Sequence, residues 1–162
     1  MQSDMNGPTL QLLASFSDAC RTSTLKRLEL VEEGAENWAL TPEAMSFADM
    51  AHHLIQCDLA LLRIFDKKQI GKNIGERGAC VVSGAAEFQG LVTRLEKLKK
   101  ERRLFLWDLM DQDLDVLIDA ERIRGVERIP AGLLILEFFD HEAHHRGQMA
   151  AYLKAYQLAK VS

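Results

Sequence analysis

Residues 133–156 read LLILEFFDHEAHHRGQMAAYLKAY and hold three of the five histidines of this 162-residue chain. At about 100° per residue, Leu134, Phe138, Met149, Tyr152 and Tyr156 fall on one side of a helix. His141 and His145, four positions apart, project into the middle of that side, with Gln148 at its edge. His144 is turned about 100° from His145, toward the margin. A histidine pair on the apolar face of a long helix is either a pair of metal ligands or a core element that needs hydrogen-bond partners.

Working outward, three more segments carry helical periodicity. Leu13, Phe16, Cys20, Thr24, Leu28 and Val31 predict a first helix over 10–31, with Thr9 as its N-cap and Gly34 as its stop. Ser46 and Asp49 form a capping-box pattern ahead of a second helix, whose apolar face is Phe47, Met50, Leu54, Leu61, Ile64 and Phe65. Phe88, Leu91, Leu95, Leu98, Phe105 and Leu109 predict a third helix over 85–110, its stripe interrupted by Arg102. Pro130 suits the first position of the final helix.

Residues 67–84 carry four glycines together with Lys67, Lys68, Lys72 and Arg77, and read as a solvated loop. Residues 111–130, where Leu114, Val116 and Ile118 alternate with acidic side chains, read as an irregular crossover with a short extended piece. With no repeat and no dividing linker, residues 1–162 are expected to form one all-α domain. The expected architecture is a four-helix bundle of up-and-down type, with long connections after helices 2 and 3.

Composition narrows the function classes. A net charge of −4 argues against nucleic acid as the main partner. No stretch is apolar enough to span a membrane, and no secretion leader is evident. Cys20, Cys57 and Cys80 fit a reducing, cytoplasmic setting better than a disulfide framework. There is no phosphate-cradling glycine loop and no Ser-His-Asp order.

A third imidazole must come from another helix. On the second helix His53 lies about 100° from the centre of the apolar face and His52 about 160°, so His53 turns inward and His52 outward. Glu137, one turn before His141, is a candidate fourth ligand or general base, or else the partner of an arginine across the bundle. Asp140 is either an acceptor for a ligand N–H or part of a solvated face. Cys57, one turn after His53, reads first as a small buried hydrophobe.

The run from His141 to Gln148, HEAHHRGQ, resembles the signature of the DinB-like family of metal-binding four-helix bundles. SFADMAHHL, residues 46–54, resembles that family's second helix, where the ligand histidine precedes Leu or Ile. The resemblance implies His53, His141 and His145 as ligands of one divalent ion (Zn, Ni, Co or Fe) and a homodimer. It also implies a metal-dependent thiol S-transferase or hydrolase acting on a small molecule or with a low-molecular-weight thiol. Gln148 and Glu137 are then the candidates for orienting the substrate. A non-catalytic metal-binding stress protein and a metal-free interaction module are the competing readings. Leu133, Ile135, Leu136 and Leu153, expected to be exposed around the final helix, support the homodimer.

Overall fold

The computed structural model describes residues 7–67, 78–120 and 128–161. Four long helices dominate: α1 (Pro8–Leu28), α2 (Phe47–Leu61), α4 (Ala85–Trp107) and α5 (Ala131–Lys160), with a short α3 (Ile64–Lys67) after α2. The all-α bundle is therefore as expected. The crossover does contain extended chain: after a 3-10 turn over Asp111–Asp115, β1 (Leu117–Asp119) pairs antiparallel with β2 (Arg128–Pro130), Ile118 opposite Ile129.

The helix ends depart from expectation in small ways. Gly7, not Thr9, precedes α1, because Pro8 takes the first turn, where its missing N–H costs nothing. The helix ends at Leu28, ahead of the left-handed Gly34 at φ 88°. α4 ends at Trp107, short of Met110. Pro130 caps α5 rather than beginning it, since it also closes β2. At α2 the capping box forms as read: the Asp49 amide donates to Ser46 Oγ and the Ser46 amide to Asp49 Oδ2, both at 3.0 Å.

Two apolar clusters fix the helix directions. One joins Leu10, Leu61, Leu106 and Phe139, which are the start of α1, the ends of α2 and α4, and the first third of α5. The other joins Leu28, Phe47, Phe88 and Met149, the opposite ends of the same helices. So α1 and α5 run one way and α2 and α4 the other, which corrects the alternating up-and-down order expected: α2 and α4 both start in the second cluster and end in the first. α1 packs on α4 and α5, and α2 packs on the same two. The connection between α2 and α4 must therefore return the full length of the bundle, which is why it is long. Its basic residues Lys68, Lys72 and Arg77 lie outside the described residues.

Between the two clusters lies a layer of buried polar side chains: Ser17 and Arg21 from α1, His53 and Asp58 from α2, Arg102 from α4, Glu142 and His145 from α5.

Candidate metal centre

The phase of α2 is set at its start. Besides closing the capping box, Asp49 accepts hydrogen bonds from the amides of Gly78 at 3.1 Å and Cys80 at 3.0 Å. Burial raises the Asp49 pKa, but these amides and the Ser46 hydroxyl outweigh it and hold the carboxyl below its usual range. Three helical steps past Met50, this start turns His53 inward, 7% exposed, whereas His52 is half-buried and pairs with Gln56 at 3.4 Å.

His53 meets the pair on α5. Its Nε2 lies 2.6 Å from His141 Nε2, which in turn is 3.1 Å from His145 Nε2. The ring centroids are 4.6 to 5.0 Å apart and the rings are steeply inclined to one another. Two imidazole lone pairs cannot face each other at such distances without a proton or a cation between them. Around a tetrahedral zinc-like ion at about 2.05 Å, nitrogens sit roughly 3.3 Å apart, so the rings need part by less than ~1 Å to admit one. Among the described residues these three histidines are the group whose ligand atoms all lie within 4.8 Å of one another. The donor set fits a divalent transition metal.

His145 is prepared for ligation. Gln148 Oε1 lies 2.7 Å from its Nδ1, which pins the ring N–H there and leaves the Nε2 lone pair toward the cluster. Burial, then repulsion from His141 and His53, lowers its pKa to about 4, so the ring is neutral at pH 7. Gln148 thus stands behind a ligand ring. His144 is exposed, with its ring 5.4 Å from that of His145 and 6.5 Å from that of His141, and it stays outside the group. Asp140 is exposed, as a solvated face requires, and Glu137 is half-buried and outside the group. Cys57 is buried, its Sγ 3.7 Å from His53 Nε2. Burial, reinforced by Asp58 and Glu142, pushes its thiol pKa up to about 12.

Behind the histidines stands a cluster the sequence pattern did not reveal. Arg21 donates from Nε and Nη2 to Glu142 at 2.7 and 3.1 Å, and from Nη1 and Nη2 to Asp58 at 2.7 and 3.1 Å. Arg102 Nη1 bridges the same carboxylates, at 3.0 Å to Asp58 and 2.7 Å to Glu142, and its Nε donates to Ser17 Oγ at 2.8 Å. Burial raises the Glu142 pKa, but the two guanidiniums overturn that and hold it at about 2. Burial likewise opposes the charge on Arg21, and Asp58 and Glu142 more than restore it. The one hint in the sequence was Arg102 interrupting an apolar stripe.

The sequence profile of the DinB superfamily matches residues 17–149, a span that contains the three histidines and both arginines. The chain belongs to the DinB superfamily. Among solved structures it is similar to a DinB-like protein from Bacillus subtilis, at 17% identity and TM-score 0.67, covering 90% of this chain and 92% of that one. A second DinB-like protein, from Bacillus cereus, aligns at 18% identity and TM-score 0.65, covering 85% and 86%. At these identities the structural likeness shows the shared fold. No curated protein sequence matches the chain. Among the described residues of this DinB-superfamily member, no helix is long and apolar enough to cross a membrane.

Proposed function

We propose that His53, His141 and His145 hold one divalent transition-metal ion and that the protein is a metal-dependent enzyme acting on a small molecule. The reaction class we assign is thiol S-transfer or hydrolysis. The observation that carries this is the convergence of three Nε2 atoms from two helices, that of His141 lying 2.6 Å from that of His53 and 3.1 Å from that of His145. A divalent ion on three neutral imidazoles supplies a Lewis acid with an open coordination position, which favours the deprotonated form of a small thiol or of water.

The chain's own groups shape what that position accepts. Gln148 holds the His145 tautomer and so keeps Nε2 a ligand atom. Asp58 and Glu142, buried carboxylates on the two helices that carry the histidines, are each engaged by both arginines. They bring no net negative charge to the site, so an anionic partner is favoured there. Cys57 is held neutral by its surroundings and is no ready nucleophile.

The test loads purified protein with cobalt and adds low-molecular-weight thiols with a small electrophile. The expected result is one ion per chain, a sulfur-to-cobalt charge-transfer band and turnover. Uptake of the ion without band or turnover would sink the S-transfer reading, and a further lack of turnover with small esters and amides would leave a non-catalytic metal-binding protein. Failure to take up any ion would overturn the metal reading itself.

A further inference from the structure

We infer that the buried cluster of Arg21, Asp58, Arg102 and Glu142 is a positioning device for the histidine tripod, locking together the two helices that carry its ligands. The inference rests on the metal reading above. The three histidines come from α2 and α5 only, and so do the two carboxylates of the cluster: Asp58 on α2 and Glu142 on α5. Glu142 lies on the same turn of α5 as His141 and His145, and Asp58 follows His53 by five residues, about 7.5 Å along α2. Each guanidinium bonds to both carboxylates, so α2 and α5 are cross-bridged twice at the level of the site. The guanidiniums enter from α1 and α4, and Arg102 is itself held by Ser17 Oγ at 2.8 Å and Ser17 O at 2.9 Å.

Two physical points favour positioning over plain stabilisation. A buried ion cluster is about as stable as apolar side chains of the same volume, so its yield in net stability is small. Its hydrogen bonds are directional, however, whereas apolar contacts let one helix slide or rotate on another. A ligand tripod tolerates displacements of only about 0.5 Å. Apolar clusters on either side supply the cohesion, and the cluster between them supplies the register.

The experiment compares the full-length wild type with Glu142→Gln, with the charge-balanced double variant Asp58→Asn/Arg102→Met, and with Leu28→Ala. Leu28 is buried in the apolar core at the end of α1, a helix without ligands, seven residues or about 10.5 Å beyond Arg21, so Leu28→Ala reports the effect of destabilisation alone. The double variant keeps the interior neutral and so guards against failure of the single one to fold. Cobalt affinity is measured by competition with a chelator, on folded protein, together with the visible absorption of the loaded form. Both cluster variants should bind cobalt about tenfold or more weakly and show altered band positions or intensities. Leu28→Ala should lower thermal stability with wild-type affinity and spectrum. Wild-type affinity and spectrum in both folded cluster variants would overturn the inference while leaving the metal reading intact. A wild type that binds no cobalt would overturn the metal reading, and the positioning role with it.

Discussion

Glu142→Gln gives the sharpest test of the buried ion cluster in the metal-free protein. The substitution preserves shape and removes one negative charge from between Arg21 and Arg102, whose nitrogens approach it to 2.7 Å. The pKa of Glu142 is lowered from 4.5 to about 2, and each tenfold change in proton affinity is about 1.4 kcal/mol, so the ionised carboxylate contributes about 3 kcal/mol at pH 7. Removing one partner of a buried ion pair costs about 3–5 kcal/mol by independent precedent, which is the same range. With a urea dependence of about 2 kcal/mol per molar, the denaturation midpoint should fall by roughly 1.5 M. The sign with pH follows from the depressed pKa. The stabilisation is complete above the unfolded value near 4.5 and is lost as pH falls toward 2. Glutamine mimics the protonated acid, so the gap between wild type and variant should be constant from pH 7 to 5 and shrink below that. A loss under about 1 kcal/mol at pH 7 would refute the reasoning, as would a gap that stays unchanged as the medium is made more acid.

Alanine at His53, His141 or His145 should each remove most of the bound ion, measured by elemental analysis of purified protein, whereas His144→Ala should leave the content near that of wild type. In the native metal-free protein at pH 8, half-buried Cys80 should react with iodoacetamide before Cys57, whose buried thiol is held near pKa 12; peptide mapping that finds Cys57 modified first would contradict its environment. Light scattering at micromolar concentration should give a homodimer. Leu12, Phe16, Leu133 and Leu136 remain exposed on α1 and α5, which pack on one another, and a monomer alone would leave that apolar surface without a role. Of the residues read from the sequence as part of such a surface, Ile135 is instead wholly buried in the core and Leu153 is half-buried against it.

Helical periodicity located all four long helices because each must bury one stripe, and a stripe of leucines and phenylalanines is written locally. The same logic oriented His53 and His52 differently, since neighbouring positions on α2 differ by about 100°. What periodicity cannot carry is a contact that is nonlocal and polar. Arg21 and Glu142 are 121 residues apart, and each taken alone resembles a solvated charge. Only when α1 and α5 pack side by side does either have a reason to be inside. The contact that Gln148 makes within the protein was hidden for a related reason. The residue's place beside the ligand face suggested contact with substrate, but three residues on a helix bring its amide oxygen onto the ring of His145 itself. The directions of the helices were hidden too, because the connection that makes α2 and α4 parallel has no pattern of its own.

The layered interior explains how a bundle of modest helices can hold a site that needs accuracy. Leucine-rich cores alone are permissive: many registers bury similar area, and packing selects weakly among them. Here the two apolar clusters are separated by a polar layer in which a shift of one turn would strand four charges at once. That penalty applies to every wrong register and to no right one, so it specifies arrangement even though its net contribution to stability is small. His53 and His145 sit in the same layer and His141 at its margin, all on the same two helices as the carboxylates. Whatever fixes the charges in place therefore fixes the imidazoles as well, and the accuracy of the site follows from the requirement that buried charges be paired.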